Sequence, residues 1–278
     1  MHPVLTAFFI VGGFGLLFAG LLVLASKFFY VQENEKVKKI RECLPGINCG
    51  ACGYSGCDGY AEAVAEGKAK PNLCVPGAAD VANELSEILG VEVEHKEVKT
   101  AFVKCNGECT AVSKKAVYDG IMTCAAASML FGGPNACEYG CLGCGDCMKA
   151  CPTGAICIDS GIAHVNSSLC VGCGVCVKTC PKGIIELYSR DTKYIVMCSS
   201  KDKGAVARKK CVRACIGCHK CELECPEGAI KIENNLPVFD YSLCVKCGKC
   251  EERCPVHCIK EVDFAADHSV DFDGEDEE

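Results

Sequence analysis

The longest uninterrupted apolar segment of the chain lies at its N-terminus, where no charged residue occurs from Val4 to Ser26. A helix of about 20 apolar residues, rising about 1.5 Å per residue, spans the hydrocarbon core of a bilayer, which is about 30 Å thick. Basic residues follow the segment closely: Lys27, Lys36, Lys38, Lys39 and Arg41. Because basic flanks remain in the cytoplasm, the pattern predicts a single-pass anchor in the cell (inner) membrane, with the rest of the chain on the cytoplasmic side.

A cleaved signal peptide is the alternative explanation of this segment. Signal peptides begin with a positively charged region and contain a shorter apolar run. This chain has no Lys or Arg before Val4, and its apolar run is longer, so the anchor is favoured. Gly15 and Ala19 are spaced for close helix packing, which suits docking against other membrane subunits.

Beyond the anchor, two segments predict short helices. One is Tyr60–Gly67, and the other is GIMTCAAASMLFGG, which is expected to end at Gly132–Gly133. From Glu261 to the end, the chain has nine acidic residues and no Lys or Arg, which is typical of a solvated, disordered tail. The formal net charge of −7 comes mostly from this tail and gives no support to nucleic-acid binding.

Cysteine changes this picture most, with 29 among 278 residues. In a small secreted protein such a content indicates disulfides, but this chain is long and its cysteine count is odd. Sixteen of the cysteines repeat the pattern C-x2-C-x2-C-x3-C-P, which is typical of thiolates that bind [4Fe–4S] clusters in a reducing compartment. The four runs are Cys141, Cys144, Cys147, Cys151; Cys170, Cys173, Cys176, Cys180; Cys215, Cys218, Cys221, Cys225; and Cys244, Cys247, Cys250, Cys254.

The spacing also predicts which cysteines share a cluster. In two-cluster proteins of this kind, the fourth cysteine of each run binds the cluster of the partner run. Zinc is the alternative metal for C-x2-C pairs, but four consecutive runs of this pattern favour iron. The predicted sets are Cys141, Cys144, Cys147 with Cys180; Cys170, Cys173, Cys176 with Cys151; Cys215, Cys218, Cys221 with Cys254; and Cys244, Cys247, Cys250 with Cys225.

The four runs form a repeat within a repeat. Every cysteine of the first two runs recurs 74 positions later in the last two. Residues 141–190 and 215–260 therefore resemble two tandem bacterial two-cluster ferredoxins, whose fold is a small pseudo-twofold pair of β-hairpins and short helices. A module of this size cannot be held by an apolar core alone, so the clusters are expected to act as staples.

A different spacing, C-x2-C-x4-C-x16-C, joins a set nearer the N-terminus: Cys49, Cys52, Cys57 and Cys74. Glycines between these cysteines let the backbone wrap closely around a cluster. Four thiolates without histidine favour a [4Fe–4S] cluster over zinc. The membrane segment, then LPGINCGACGYSGC, then two ferredoxin modules, resembles the B subunit of the Rnf complex over nearly the whole chain.

This resemblance implies an electron-relay subunit of a membrane-bound ferredoxin:NAD+ oxidoreductase, a translocase that couples electron transfer to Na+ or H+ transport. It implies as partners the other membrane and peripheral subunits of that complex and soluble ferredoxin. The sequence contains no phosphate-binding glycine loop, no dinucleotide fingerprint and no acid/base or nucleophile constellation. NAD+ and flavin are therefore expected to bind elsewhere, and no catalytic residue is predicted on this chain.

Two alternatives to this function stay open. The first is the iron–sulfur subunit of another membrane-tethered hydrogenase or dehydrogenase assembly. The second comes from a different class, a zinc-stapled interaction protein without a redox role.

Four further cysteines upstream of the ferredoxin runs predict a sixth cluster, with zinc or plain buried thiols as alternatives: Cys105, Cys109, Cys124 and Cys137. About six clusters are therefore expected. Of the remaining five cysteines, Cys157 and Cys258 are interpreted as small core residues. No role is predicted for Cys43, Cys198 and Cys211.

The segment between the two ferredoxin modules is basic in an otherwise acidic chain. One interpretation is that it steers an acidic soluble ferredoxin toward the clusters, and the other is a solvated connector. Its basic residues are Lys193, Lys201, Lys203, Arg208, Lys209, Lys210 and Arg213.

Together these patterns predict an α+β chain with a single N-terminal transmembrane helix followed by small iron–sulfur modules. The expected parts are an anchor (1–30), a four-cysteine [4Fe–4S] domain (31–95), a second four-cysteine module (96–140), two ferredoxin modules (141–190 and 215–260) joined by a basic linker (191–214), and an acidic tail (261–278).

Overall fold

The computed structural model of the chain describes residues 3–29, 34–92 and 97–264. The predicted acidic tail, from residue 265 onward, lies outside the described residues. The described residues form helices and antiparallel two-stranded sheets, in agreement with the predicted α+β class.

Helix α1 extends from Pro3 to Phe28. Its segment Phe9–Phe28 has a mean hydropathy of 2.3, and none of it is buried against the rest of the described chain. Burying one large apolar side chain contributes about 1.5–3 kcal/mol. Leu16 of this helix is 79% exposed, so leaving the helix in water would be unfavourable. The helix is therefore compatible with membrane association.

Three helices follow and form an N-terminal cluster domain: α2 (Glu35–Cys43), α3 (Cys57–Ala65) and α4 (Ala78–Leu89). Helix α3 is the helix predicted at Tyr60–Gly67, but it begins three residues earlier. These helices pack around Ile40, Tyr60 and Leu85, which are at most 1% exposed. The domain therefore has a small apolar core of its own.

The first ferredoxin module consists of two sheets and three short helices. Strand β1 pairs antiparallel with β4, and β2 pairs with β3 in a hairpin. The elements are β1 (Lys99–Val103), α5 (Cys124–Met129), α6 (Asp146–Lys149), β2 (Ile156–Asp159), β3 (Ile162–Val165), α7 (Val175–Thr179) and β4 (Ile185–Ser189).

The second ferredoxin module repeats this plan. Strand β5 pairs antiparallel with β8, and β6 pairs with β7 in a hairpin. The elements are β5 (Tyr194–Val196), α8 (Gly204–Lys210), α9 (Lys220–Glu224), β6 (Ile230–Glu233), β7 (Leu236–Phe239), α10 (Lys249–Glu252) and β8 (Ile259–Glu261).

Both modules begin earlier in the chain than their cysteine runs indicate. Strand β1 lies within the segment predicted as a separate module, and β5 lies within the predicted linker. Lys104 N–H donates to the Ile184 carbonyl at 2.8 Å, and Met197 N–H donates to the Cys258 carbonyl at 2.7 Å. Because Ile184 and Cys258 are 74 positions apart, Lys104 and Met197 occupy equivalent places in the two modules.

The two modules pack against each other through aromatic rings and backbone contacts. The Tyr188 ring meets the Tyr241 ring edge to face at 5.8 Å, and Phe102 meets Phe264 in the same way at 6.2 Å. Such pairs add about 0.5–1.5 kcal/mol each to the free energy of burial. In addition, Ser113 N–H donates to the Lys210 carbonyl at 2.9 Å, so the segment before the first cysteine run lies on the second module.

Candidate iron–sulfur cluster sites

The first site of the first module gathers thiols from both ends of the module. Cys141 and Cys147 line a cavity together with Cys180, which ends helix α7. Cys147 points inward because α6 begins directly after Gly145, whose positive φ of 81° turns the chain sharply. Burial and the neighbouring thiolates raise the pKa of the Cys147 thiol to about 12.

The second site of this module lies around Cys170, Cys173, Cys176 and Cys151. Burial raises the pKa of the Cys176 thiol to about 11, and the thiolates of the other three add to this effect. The Ala101 N–H of strand β1 donates to Cys170 Sγ at 3.4 Å. Strand β1 therefore takes part in a cluster site that the cysteine runs alone do not reveal.

The second module repeats this arrangement at Cys221. Burial and the thiolates of Cys215, Cys218 and Cys254 raise the pKa of the Cys221 thiol to about 12. Around the last run, burial and the thiolates of Cys244 and Cys247 raise the pKa of the Cys250 thiol to about 11. Cys225 ends helix α9 and accepts a hydrogen bond from Ala229 N–H at 3.3 Å.

The N-terminal set also converges, in the cluster domain formed by α2, α3 and α4. Burial raises the pKa of the Cys74 thiol, and so do the thiolates of Cys57, Cys49 and Cys52. Gly77 lies against Cys74, where a Cβ atom would be 3.2 Å from its sulfur atom. A Cβ atom there would also overlap the Val81 side chain, so the close approach of the chain at this position requires glycine.

These shifts agree with a cationic inorganic group at each site. Burial disfavours a thiolate unless a positive charge lies beside it, and metal binding releases the thiol proton. Among the described residues, no three cysteine, histidine or carboxylate side chains converge closely enough to hold a single metal ion. The predicted ligand sets consist of cysteine alone, which is the donor type that [4Fe–4S] clusters take.

The structure does not bring together the four cysteines predicted to form the set Cys105, Cys109, Cys124 and Cys137. Cys124 lies instead at the Cys141 site, where burial and the Cys124 thiolate raise the pKa of Cys144 to about 11. The reason is local: the Asp146 carboxylate accepts hydrogen bonds from Cys124 N–H at 2.9 Å and Ala125 N–H at 3.0 Å. These bonds attach the start of α5 to the start of α6.

Cys109 is exposed at the surface, next to Gly161. Cys105 and Cys137 remain together and line one cavity with Cys198 and Cys211, two of the three cysteines without a predicted role. A signal for this was present in the sequence, because Cys137 and Cys211 are 74 positions apart like the recognised cluster cysteines.

The other unassigned cysteines have varied surroundings. Cys258 is 1% exposed, as expected of a small core residue, but its sulfur atom also lies 3.7 Å from Cys254 Sγ. Cys157 lies half-buried on β2. Cys43 ends α2 and donates to the Lys39 carbonyl at 3.3 Å.

The basic segment between the modules is partly neutralised by ion pairs. Lys193 pairs with Glu261 at 3.0 Å, Lys210 with Asp202 at 2.8 Å, and Arg213 with Glu108 at 2.5 Å. Four of its basic residues are exposed at the surface: Lys201, Lys203, Arg208 and Lys209.

Comparisons with known proteins match these sites. The Fe-S cluster family matches residues 44–76, and the 4Fe-4S dicluster domain family matches residues 140–184 and 214–258. A second family of 4Fe-4S dicluster domains matches residues 169–229. The first two families therefore cover the N-terminal set and both ferredoxin modules.

Similar curated proteins cover most of the chain. The B subunit of the proton-translocating ferredoxin:NAD(+) oxidoreductase complex of Clostridium ljungdahlii is 44% identical over 87% of this chain and 86% of its own length. The B subunit of the Na(+)-translocating ferredoxin:NAD(+) oxidoreductase complex of Acetobacterium woodii is 40% identical over 93% and 78%. The B subunit of the ion-translocating oxidoreductase complex of Methanosarcina acetivorans is 39% identical over 73% and 77%.

Proposed function

The chain belongs to the family of the B subunits of Rnf complexes, the ion-translocating ferredoxin:NAD+ oxidoreductases, and on this basis we propose that it relays electrons from soluble ferredoxin to the other subunits of such a complex. One relative is named for proton translocation and another for Na+ translocation, so we propose coupling to one of these two ions. The chain is then one part of an oxidoreductase, with the nicotinamide and flavin sites on other subunits.

The relay consists of [4Fe–4S] clusters on the ligand sets that the crossing rule predicts. Cys49, Cys52, Cys57 and Cys74 hold a further cluster. The observation that carries this proposal is that thiols from separate cysteine runs meet at one site: Cys141 and Cys147 with Cys180, and Cys170, Cys173 and Cys176 with Cys151. In the native protein the iron atoms supply the positive charge that keeps these thiols ionised.

The order of the sites supports a direction for the relay. Burial raises the pKa of the Cys173 thiol, a backbone hydrogen bond lowers it, and the nearby Cys49 thiolate raises it again. The N-terminal site therefore lies beside the first module. Six residues separate α1 from α2, so the end of α1 and the start of α2 lie at most about 25 Å apart. The N-terminal cluster domain therefore stays near the anchor, and the second module is the far end of the relay.

Ferredoxin docks at this far end, on the second module. Cys218 and Cys247 are exposed there, so electrons can enter without crossing a thick protein layer. The exposed basic residues Lys201, Lys203, Arg208 and Lys209 belong to the same module and attract an acidic partner. The alternative, a solvated connector, is weakened because this segment supplies strand β5 and helix α8.

Helix α1 is a single-pass anchor that holds the cluster modules on the cytoplasmic side of the membrane. The basic residues that follow it support this orientation. Its exposed apolar surface is available to lipid and to membrane subunits of the complex.

The test of this function begins with the full chain, purified anaerobically and analysed for metal. Five clusters require about 20 Fe and an equal amount of sulfide per chain, and a sixth would add about four. Chemically reduced ferredoxin, mixed with the oxidised chain in a stopped-flow instrument, is expected to bleach the cluster absorbance. Abundant zinc with little iron, or no electron transfer from ferredoxin to a fully loaded chain, would refute the proposal.

A further inference from the structure

A cavity between the two ferredoxin modules is lined by four cysteines that belong to none of the five sets above: Cys105, Cys137, Cys198 and Cys211. Its volume is about 20 Å³, and so is that of the cavity at the Cys141 site. The two spaces are therefore similar in size, and both are lined by several buried thiols. Histidine and carboxylate side chains are absent from the lining of the cavity between the modules.

The four cysteines form two equivalent pairs, one from each module. Cys137 lies four residues before the first run of its module, and Cys211 lies four residues before the first run of the other. Cys105 lies two residues after the end of β1, and Cys198 lies two residues after the end of β5. Each module thus contributes one cysteine that follows its first strand and one that precedes its first cysteine run.

The hydrogen bonds of the pairs are equivalent as well. Cys105 Sγ accepts from the N–H groups of Gly107 and Cys141, both at 3.4 Å. Cys198 Sγ accepts from the N–H groups of Ser200 at 3.5 Å and Cys215 at 3.3 Å. Backbone donors aimed at a buried sulfur stabilise its thiolate form and are typical of cluster ligands.

All four cysteines of the cavity are buried, and each is only 7–9% exposed. Two glycines keep the centre of the cavity open: a Cβ atom at Gly107 would be 3.5 Å from both Cys105 Sγ and Cys211 Sγ. At Gly140, a Cβ atom would be 3.6 Å from both Cys105 Sγ and Cys137 Sγ.

We infer that Cys105, Cys137, Cys198 and Cys211 bind a sixth [4Fe–4S] cluster at the interface of the two ferredoxin modules. This inference rests on the proposed function, because it takes the modules to be cluster-binding. It also extends that function. The N–H groups of Cys141 and Cys215, the first ligands of one cluster in each module, both donate to sulfur atoms of the interface set. The interface cluster therefore joins the two modules into one continuous path for electrons.

The test compares single variants of the full chain, assembled anaerobically and analysed for iron, sulfide and zinc. In Cys198→Ala and Cys211→Ala, the iron content is expected to fall from about 24 Fe per chain to about 20, or to about 23 if a three-iron cluster remains. A three-iron cluster is recognised by an EPR signal in the oxidised state. The control is Cys109→Ala, which removes an exposed cysteine that belongs to none of the six sets and is expected to retain about 24 Fe. Full iron content in Cys198→Ala and Cys211→Ala, or loss of a cluster from Cys109→Ala, would overturn the assignment.

A conservative variant separates loss of this cluster from failure of the chain to fold. Cys211→Ser offers an oxygen ligand, so it is expected to retain the iron while one cluster changes its EPR spectrum and its reduction potential. Unchanged spectra and potentials in a fully loaded Cys211→Ser chain would overturn the inference. In the unmodified chain, about 20 Fe with one zinc, or with no other metal, would refute the interface cluster and leave the proposed function standing. Little iron of any kind would instead refute the proposed function.

Discussion

The thiol of Cys258 lies 3.7 Å from the sulfur atom of Cys254, one of the predicted cluster ligands of the second module. Cys258 N–H donates to the same sulfur atom at 3.3 Å. Hydrogen bonding to Cys258 lowers the pKa of the Cys254 thiol to about 5. The equivalent position of the first module is Ile184, so this thiol distinguishes two otherwise similar sites.

Replacing Cys258 by alanine is expected to lower the reduction potential of the cluster at Cys215, Cys218, Cys221 and Cys254. Hydrogen bonds to ligand sulfur stabilise the more negative, reduced cluster, and a shift on the order of tens of millivolts is expected from losing one. EPR-monitored redox titration measures it. Cys258→Ile, which copies the first module, should give the same shift with unchanged iron content; an unaltered potential would show that the thiol does not tune the cluster.

Gly172 is expected to tolerate alanine less well than Gly183, although both have positive φ angles of about 60–66°. Left-handed backbone costs a non-glycine residue about 1–2 kcal/mol at either position. At Gly172 a Cβ atom would also overlap the carbonyl oxygen of Lys99 on β1, whereas nothing lies within 4 Å of one at Gly183. The overlap is expected to add about 1–3 kcal/mol, because β1 must move. Thermal unfolding of the loaded chain measures the difference, and equal midpoints for the two variants would contradict it.

Asp146→Ala is expected to free the first turn of α5 without removing a cluster. The carboxylate accepts two backbone N–H groups there, and losing such a cap costs about 0.5–2 kcal/mol. Hydrogen exchange of the Cys124 and Ala125 amides should become faster while the iron content stays constant. Asp146→Asn, which keeps one acceptor oxygen, should give an intermediate rate. Unchanged exchange in the alanine variant would show that the cap does not hold this helix.

Reversing the charge of Arg208 and Lys209 is expected to slow reduction of the chain by ferredoxin roughly tenfold at low salt. These side chains are exposed, and no ion pair was found for them among the described residues. The difference should vanish at high salt, where the Debye length falls to about 3 Å. Lys68→Glu with Lys70→Glu makes the same change in net charge on the N-terminal domain and should leave the rate unaltered. Equal rates for both double variants at low salt would place the docking surface elsewhere.

Removing the iron with a chelator under reducing conditions is expected to unfold the ferredoxin modules before the N-terminal domain. The buried cores of both modules consist largely of cluster cysteines and small side chains. The N-terminal domain retains Ile40, Tyr60 and Leu85 as an apolar core. Hydrogen exchange should therefore show early loss of protection in β1 and β4, and later loss in α4. Simultaneous loss in all three would contradict this order.

Local spacing is the part of the candidate sites that a sequence makes predictable. The predicted ferredoxin ligand sets rest on short, regular intervals between cysteines. The repeat of 74 positions also predicted that the two modules share one plan. Such signals are readable because a cluster site with three ligands in one loop is mostly a local arrangement.

Contacts between segments that are distant in the chain cannot be predicted from cysteine spacing. Strand β1 joins the first module by pairing with β4, across a long stretch of chain, so the predicted boundary at residue 140 divides what the structure joins. Cys105 and Cys137 are 32 positions apart, whereas their counterparts Cys198 and Cys211 are only 13 apart. This unequal spacing hides the second level of the repeat in the sequence.

The pairing of β1 with β4, and of β5 with β8, sets the order in which the two modules fold during synthesis on the ribosome. Lys99 lies opposite Ser189, and Tyr194 lies opposite Glu261, so each module closes only when nearly all of its length has emerged. The first module can therefore close and receive its iron while the second is still being translated. The pairs Cys105–Cys137 and Cys198–Cys211 meet only afterwards, which makes the junction of the modules the last part of the chain to mature.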